Sequence, residues 1–219
     1  MRAVVFDFDG VLADSMAINY LAKKQLFLPF GFKLSKEEFI RIWINPESRE
    51  KEGNKYYVKL HGINVAIEEL REKQKPIFES IFLEKSRLMP GALGLLRSLR
   101  KKGVPLGIVS SNYRYSIGIV LHKFSLERDF DFVIAAGDCE NPKPHPEPYI
   151  LAAKKFGCSP GEVLALEDSA NGVQSAKAAG CKCIAIPNKF TAAGDFSRAD
   201  AVVKRFSEIN EALLEKIAP

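Results

Sequence analysis

Apolar runs alternate with amphipathic segments along the chain from residue 90 onward. Three of these apolar runs are followed by a segment with helical spacing, and several of the helical segments close at a glycine, as at Gly157. Continuous apolar strands are typical of a sheet buried on both faces, and helices between them indicate parallel strands joined by crossovers. The predicted strands lie at 2–8, 104–112, 130–138, 162–169 and 182–187, with a short one at 200–203, and the predicted helices at 95–103, 116–124, 147–157 and 171–180.

Residues 16–88 interrupt this alternation, because their periodicity is helical and no strand–helix–strand unit occurs there. Ser35 followed by Glu38 is typical of a capping box at the start of a helix. We therefore predict an α/β fold, a doubly wound three-layer sandwich with a parallel sheet. Its Rossmann-like core would be formed by residues 1–15 and 89–219, with an inserted α-helical cap of residues 16–88.

Composition and charge narrow the choice of partners. The 219 residues are 47% hydrophobic and 27% charged, which is ordinary for a globular protein. Residues 16–88 hold 14 Lys and Arg against 10 Glu and no Asp, so they contribute +4 of the net charge of +5. No long basic run concentrates this charge. We therefore expect an anionic small molecule as the partner and no nucleic acid.

The cysteines and the amino-terminal segment indicate a cytoplasmic protein. None of the cysteines forms a pair with zinc-ligand spacing, so we expect reduced thiols and no structural zinc at Cys139, Cys158, Cys181 and Cys183. The chain passes directly into a strand after Arg2, and we expect neither a signal peptide nor a membrane span. No segment has the character of a dimer helix, so we expect a monomer.

Polar side chains follow the predicted strands at the edge where ligands bind in doubly wound sheets. The first strand ends at Asp7, with Asp9 just beyond it, the second ends at SSN (110–112), and Glu167 and Asp168 lie at the end of the strand at 162–169. Lys143 lies between them in NPKPHPEP, where the prolines keep the chain extended. Each motif alone has an ordinary alternative as a polar turn or a helix cap. Together the carboxylates require a hard divalent cation, and Mg²⁺ with oxygen ligands is the natural choice.

These motifs resemble the haloacid dehalogenase-like hydrolases over essentially the full length of the chain. DFDGVLADS is similar to the first motif of that family, and VSSN to the second, with Ser110 in the Ser/Thr position. KPHPEPYILAAKKFG and LALEDSANGVQSAKAAG resemble the lysine motif and the fourth motif of its phosphoglycolate phosphatase and β-phosphoglucomutase branch. The helical insert after the first motif matches the cap of that branch.

The resemblance implies a role for each motif residue. Asp7 would be the nucleophile that forms an aspartyl phosphate, and Asp9 the general acid and base. Mg²⁺ would be held by Asp7, the backbone carbonyl of Asp9, Asp168 and, through water, Glu167. The phosphoryl group would be bound by the remaining motif residues: Ser110, Ser111, Asn112 and Lys143.

The implied function is a magnesium-dependent phosphatase for a small phosphorylated metabolite, such as a sugar phosphate or phosphoglycolate. A phosphomutase of the β-phosphoglucomutase kind is the alternative, and a phospho-accepting regulatory protein is a third hypothesis. The cap would close over the site and supply substrate contacts. Arg49 is its first candidate and Arg41 the second, in a wider set most of which we expect on the solvated surface: Asn45, Lys51, Asn54, Tyr57 and Lys59.

Overall fold

A computed structural model describes residues 1–44 and 53–217, and within them the chain forms a six-stranded, fully parallel sheet. The strand order is 3-2-1-4-5-6, in which the direction of winding reverses between the first and fourth strands. The predicted α/β fold with a parallel sheet is therefore confirmed. The strands are β1 (Ala3–Phe6), β2 (Leu106–Val109), β3 (Phe132–Ile134), β4 (Val163–Glu167), β5 (Lys182–Ala185) and β6 (Ala201–Val202).

The central strands are buried along their whole length, as their continuous apolar sequences require. β1 lies between β2 and β4, with Val4 opposite both Leu106 and Leu164 in register. Every residue of β1, β2 and β4 is buried. Such strands need helices on both faces, because either exposed face would leave apolar side chains in water. Within this sheet unit the helices are α5 (Ala92–Lys101), α6 (Arg114–Lys123), α7 (Glu147–Phe156), α8 (Ala170–Ala178) and α9 (Glu211–Ile217).

The chain divides into two compact units, residues 1–14 with 87–219 and residues 15–86. In the first unit, the two segments that lead out of the sheet and back into it run side by side. Ala13 and Leu88 form an antiparallel bridge, with Asp14 N–H donating to the carbonyl of Arg87 and Met89 N–H to that of Leu12, both at 2.9 Å. This pairing joins the turn after β1 to the chain that enters α5.

The unit of residues 15–86 is helical and has a core of its own. Its helices are α1 (Met16–Phe27), α2 (Lys36–Phe39), α3 (Gly53–Leu60) and α4 (Ile67–Lys85), and α2 continues as a π-helical turn, Ile40–Ile44. The Ser35 hydroxyl accepts from the Glu38 N–H at 3.1 Å and the Glu38 carboxylate accepts from the Ser35 N–H at 3.0 Å, so the predicted capping box is confirmed. The core contains Leu26, Phe27, Leu34, Phe39, Ile42, Tyr57, Ile63 and Leu70.

Among residues 1–44 and 53–217, none of the helices combines the length and apolar character needed to cross a membrane.

Candidate active site

Asp7 stands at the carboxyl end of β1, where the central strand leaves the core. Its backbone N–H still pairs with the carbonyl of Leu166 at 2.9 Å, and the residue is only 7% exposed. The chain then turns tightly, since the N–H groups of Leu12 and Ala13 both donate to the carbonyl of Phe8. The ladder and the turn together hold the Asp7 carboxylate at the edge of the sheet.

Gly10 in this turn is required by conformation and by space. Its φ of +81° lies in the left-handed region that favours glycine. A Cβ atom at this position would also overlap the Asp168 carboxylate and lie 2.5 Å from Nδ2 of Asn188. The turn after β1 therefore packs directly against the segments that follow β4 and β5.

Lys143 places its ammonium group between two buried carboxylates. Nζ donates to Asp7 Oδ1 at 2.7 Å, to Glu167 Oε1 at 2.6 Å and to the carbonyl of Val109 at 2.9 Å. An ammonium group has three protons, so all of them are used. The side chain is 7% exposed, and its charge is therefore compensated almost entirely by the protein.

Glu167 and Asp168, at the end of β4, are buried and hydrogen-bonded to different neighbours. Glu167 Oε1 accepts from the hydroxyl of Tyr149 as well as from Lys143, and Ser169 Oγ lies 3.4 Å from Oε2. Asp168 Oδ2 accepts from Nδ2 of Asn188 at 2.6 Å. Their exposed fractions are 0% and 1%, so two adjacent carboxylates lie out of contact with bulk water.

The segment after β2 reaches Asp9. Nδ2 of Asn112 donates to Asp9 Oδ1 at 3.1 Å, and the Ser110 hydroxyl donates to Asp9 Oδ2 at 3.5 Å. Ser110 Oγ also accepts from the backbone N–H of Asn112 at 3.0 Å, which fixes the turn. Ser111 is exposed in this turn. The Ser110 and Asn112 side chains, from the segment after β2, thus orient the carboxylate of Asp9.

The electrostatics of this edge call for additional positive charge. Burial raises the pKa of Asp7 to about 8, and Glu167 and Asp9 add to this rise while Lys143 opposes it. Burial, together with Asp7 and Glu167, also raises the pKa of Asp168. Burial alone would lower the pKa of Lys143, but Asp7 and Glu167 outweigh it and the net pKa is raised. One ammonium group therefore does not balance the carboxylates.

A divalent cation would supply the positive charge that these carboxylates lack. Asp7, Glu167 and Asp168 each offer an oxygen atom, and the three atoms lie within 4.8 Å of one another. Carboxylate oxygens are the donors that Mg²⁺ prefers. A cation there would favour the ionised carboxylates that burial disfavours.

The similarity to known proteins extends over the whole chain. A family model described as haloacid dehalogenase-like hydrolase matches residues 4–186. The chain belongs to the haloacid dehalogenase-like hydrolases. The resemblance, and the hydrolase class that it implies, are thereby confirmed.

Three relatives illustrate where the chain lies within the haloacid dehalogenase-like hydrolases. YhcW of Bacillus subtilis (strain 168), a phosphatase by name, is 33% identical over 98% of this chain and 96% of that protein. The phosphoglycolate phosphatase of Escherichia coli (strain K12) is 26% identical over 97% of this chain and 92% of that protein. The crystal structure of CbbY from Rhodobacter sphaeroides in complex with phosphate has a TM-score of 0.90 at 25% identity, and the match covers 98% of this chain and 99% of that one.

Asp7, Glu167 and Asp168 form the acidic cluster of this hydrolase, and two residues that contact it were absent from the sequence-based candidates. Asn188 follows β5 as Asp168 follows β4, so its position at the same edge of the sheet was a usable signal. Tyr149 carried no such signal, because it lies inside the apolar pattern of α7 and resembles any core aromatic residue. Its hydroxyl reaches Glu167 because Tyr149 is buried in the same core cluster as Val163 and Ala165 of β4.

The candidate substrate-binding residues of the helical unit differ from one another in how exposed they are. Arg41 is exposed on the π-helical turn, and its role in substrate binding stays a prediction. Asn54 and Tyr57 are 4% and 1% exposed, so the expectation of a solvated surface is wrong for these two. Tyr57 packs among the aromatic residues of the helical core, and Asn54 hydrogen-bonds there. Three further candidates lie outside the described residues: Asn45, Arg49 and Lys51.

Proposed function

We propose that this protein is a magnesium-dependent phosphatase that hydrolyses a small phosphorylated metabolite, such as a sugar phosphate or phosphoglycolate, through an aspartyl-phosphate intermediate. The observation that carries the proposal is the buried Asp7 carboxylate, hydrogen-bonded to Lys143 at the end of the central strand. A carboxylate held against an ammonium group beside further carboxylates has the parts for phosphoryl transfer. The names of YhcW and the Escherichia coli relative support the phosphatase class.

Asp7 would act as the nucleophile. One of its carboxylate oxygens forms a bond to phosphorus while the bond from phosphorus to the leaving oxygen breaks, and the electron pair of that bond stays with the leaving oxygen. Asp9 gives its proton to this oxygen, so the product is a neutral alcohol. In the second step Asp9 takes a proton from water, the water oxygen bonds to phosphorus, and Asp7 leaves as a carboxylate with inorganic phosphate. This sequence divides one difficult displacement into two easier ones.

The geometry around Asp9 supports its role as acid and base. Both of its carboxylate oxygens face donors from the segment after β2, Asn112 at 3.1 Å and Ser110 at 3.5 Å. These contacts orient the group without burying it completely, because Asp9 is half-buried whereas Asp7 is buried. A group that exchanges protons with a leaving alcohol and with water needs such access.

The remaining motif residues would bind the phosphoryl group. Lys143 would neutralise one phosphoryl oxygen from its position beside Asp7, and Ser110 would donate a hydrogen bond to another. The backbone N–H groups around Ser111 and Asn112 would add donors. Charge spreads over the outer oxygens of a transferring phosphoryl group, so fixed donors and cations stabilise the transition state.

Mg²⁺ would be held by Asp7, the backbone carbonyl of Asp9, Asp168 and, through water, Glu167. When bound, it would neutralise charge on the phosphoryl oxygens and on the carboxylates. Asn188 would orient Asp168 through the hydrogen bond to Oδ2, which leaves Oδ1 available for the cation.

Release of inorganic phosphate tests this function directly. The full chain is incubated with a panel of sugar phosphates and small organic phosphates, in magnesium and in chelator, with Asp7→Asn as the inactive control. We expect magnesium-dependent release that peaks on a few compounds. Isomerisation of a sugar phosphate without phosphate release would favour the phosphomutase alternative, and release that persists in chelator would contradict the proposed metal site.

A further inference from the structure

Tyr149 is the only residue on α7 that hydrogen-bonds, within the described residues, to the acidic cluster. It is the third residue of the helix, is 0% exposed, and packs in the apolar core with Val5, Val109 and Val163. A buried tyrosine hydroxyl must find a partner, and here the partner is Oε1 of Glu167. The hydroxyl of this core tyrosine thus hydrogen-bonds to a charged group of the active site.

The hydroxyl of Tyr149 shares its acceptor with Lys143. Glu167 Oε1 accepts from both groups, with Lys143 Nζ at 2.6 Å. The ring of Tyr149 also faces the ammonium group, with Nζ 5.2 Å from the ring centroid. One side chain therefore contacts both members of the ion pair, Glu167 through its hydroxyl and Lys143 through its ring.

The rest of the Glu167 side chain has little freedom. Its Oε2 faces Ser169, and a Cβ atom on Gly172 would overlap the carboxylate. The donor from Tyr149 offsets part of the cost of burying this charge. Without that donor, Glu167 would draw the ammonium group of Lys143 more strongly toward itself, at the expense of Asp7.

We propose that Tyr149 is a positioning residue for phosphoryl transfer, because its hydroxyl holds Glu167 so that the Lys143 ammonium group stays directed at Asp7. This inference rests on the proposed function. Tyr149 touches neither the phosphoryl group nor Asp7, so it acts through Glu167 and Lys143. Its loss affects turnover while substrate binding is retained.

The first experiment compares Tyr149→Phe with wild type in the full chain at saturating magnesium, with p-nitrophenyl phosphate as the probe. We expect kcat to fall about 10- to 100-fold, as is usual when a residue supporting a metal or catalytic group is removed, and KM to change by less than about twofold. Tyr20→Phe is the matched control, since it removes a hydroxyl that donates to the carbonyl of Leu34 at 3.2 Å in the helical unit. An unchanged kcat in Tyr149→Phe overturns the proposal.

A double-mutant cycle separates positioning from a general structural effect. If Tyr149 acts through Glu167, then kcat of the Tyr149→Phe/Glu167→Gln variant matches that of Glu167→Gln alone within about twofold. If the fold-losses of the two single variants multiply instead, Tyr149 acts independently of Glu167 and the proposal is wrong. Melting temperatures of all variants show whether a loss of kcat comes from unfolding.

A readout without catalysis distinguishes this inference from the phosphatase proposal. A buried ammonium group with three acceptors exchanges its protons slowly, so Lys143 is expected to give an NMR signal for its ammonium protons, assigned through the side-chain carbons. We expect this signal to broaden in Tyr149→Phe and to stay unchanged in Tyr20→Phe. The same signal in wild type and Tyr149→Phe, or none in wild type, overturns the positioning role. Absence of phosphate release from wild type overturns only the phosphatase function.

Discussion

Replacing Gly172 by alanine tests how tightly the structure confines Glu167. Gly172 is the third residue of α8, and its N–H donates to Ser169 Oγ at 3.1 Å. An alanine in a helix is normally more favourable than a glycine by about 0.8–1.0 kcal/mol. Here, however, the added Cβ atom would overlap the buried carboxylate of Glu167. The substitution therefore sets helix propensity against the space that Glu167 occupies.

The structure indicates that the steric effect wins. Forcing an extra methyl group into a packed site costs about 1–3 kcal/mol. Moving Glu167 also weakens its hydrogen bonds to Lys143 and Tyr149, and a hydrogen bond to a charged group contributes about 1.5–3 kcal/mol. After the gain in helix propensity of about 1 kcal/mol is subtracted, we expect a net destabilisation of about 1.5–5 kcal/mol.

The matched control is Gly118→Ala in α6, another helix of the same unit. Gly118 is an exposed interior residue of its helix, and apart from its chain neighbours and the backbone of its own helix, a Cβ atom there meets no atom of the described residues within 4 Å. Only helix propensity applies, so we expect Gly118→Ala to stabilise the protein by up to about 1 kcal/mol. Urea unfolding followed by circular dichroism, with chelator present, measures both changes in the free energy of unfolding.

The two variants are thus expected to differ in sign. Phosphate release adds a second criterion, because Gly172→Ala displaces a group that contacts Lys143 and should lower kcat, whereas Gly118→Ala should not. If Gly172→Ala is as stable as wild type and keeps its turnover, then Glu167 is not confined in the way described. The assigned roles of Tyr149 and Glu167 would then lose their structural basis.

Four further outcomes are expected. Asp7→Asn abolishes phosphate release, and retained turnover would contradict the nucleophile assignment. In chelator at pH 7, the free energy of unfolding of Asp7→Asn is no lower than that of wild type, because burial opposes ionisation of Asp7. Asn188→Ala, which removes the hydrogen bond to Asp168, raises the magnesium concentration for half-maximal rate about 10- to 100-fold, and an unchanged value would refute that role. Chelation stops phosphate release, and added magnesium restores it; failure to recover would indicate that the metal holds the fold rather than the chemistry. Burial alone would raise the pKa of Asp200, but its hydrogen bonds, one of them from Lys177 at 2.6 Å, outweigh burial and the net pKa is lowered. The stabilisation by Asp200 is therefore present above its unfolded pKa and is lost as pH falls through the folded value. The free energy of unfolding of Asp200→Asn should decline less between pH 7 and 3 than that of wild type.

Local patterns account for much of the sheet unit. Continuous apolar runs predicted buried parallel strands, and the structure has strands within each predicted range. The Ser35–Glu38 capping box was predictable because it depends on residues three positions apart. The helical periodicity of residues 16–88 was less informative about the helix that begins at this capping box, since α2 ends at Phe39 and a π-helical turn follows. That change of helix type depends on how the helical core packs, which a periodicity does not express.

The sequence by itself determined which residues end the strands, and with them the set of charged groups at one edge of the sheet. Every strand of a parallel sheet points the same way, so its carboxyl-end residues meet regardless of strand order. Only the tertiary structure decided which of these groups touch. The order 3-2-1-4-5-6 places β1 between β2 and β4, so Lys143 bridges Asp7 and Glu167 across adjacent strands.

Tyr149 and Asn188, which support the charged groups, show more clearly what only the tertiary structure decided. Tyr149 follows the apolar pattern of a helix, and nothing in that pattern distinguishes it from other core residues. Its contact with Glu167 spans 18 positions, and that of Asn188 with Asp168 spans 20. Such contacts depend on where a helix or a strand packs, which is settled by the summed packing of the whole core. The charged groups of the site could therefore be predicted from local motifs, whereas the hydrogen bonds that orient these groups depend on the fold.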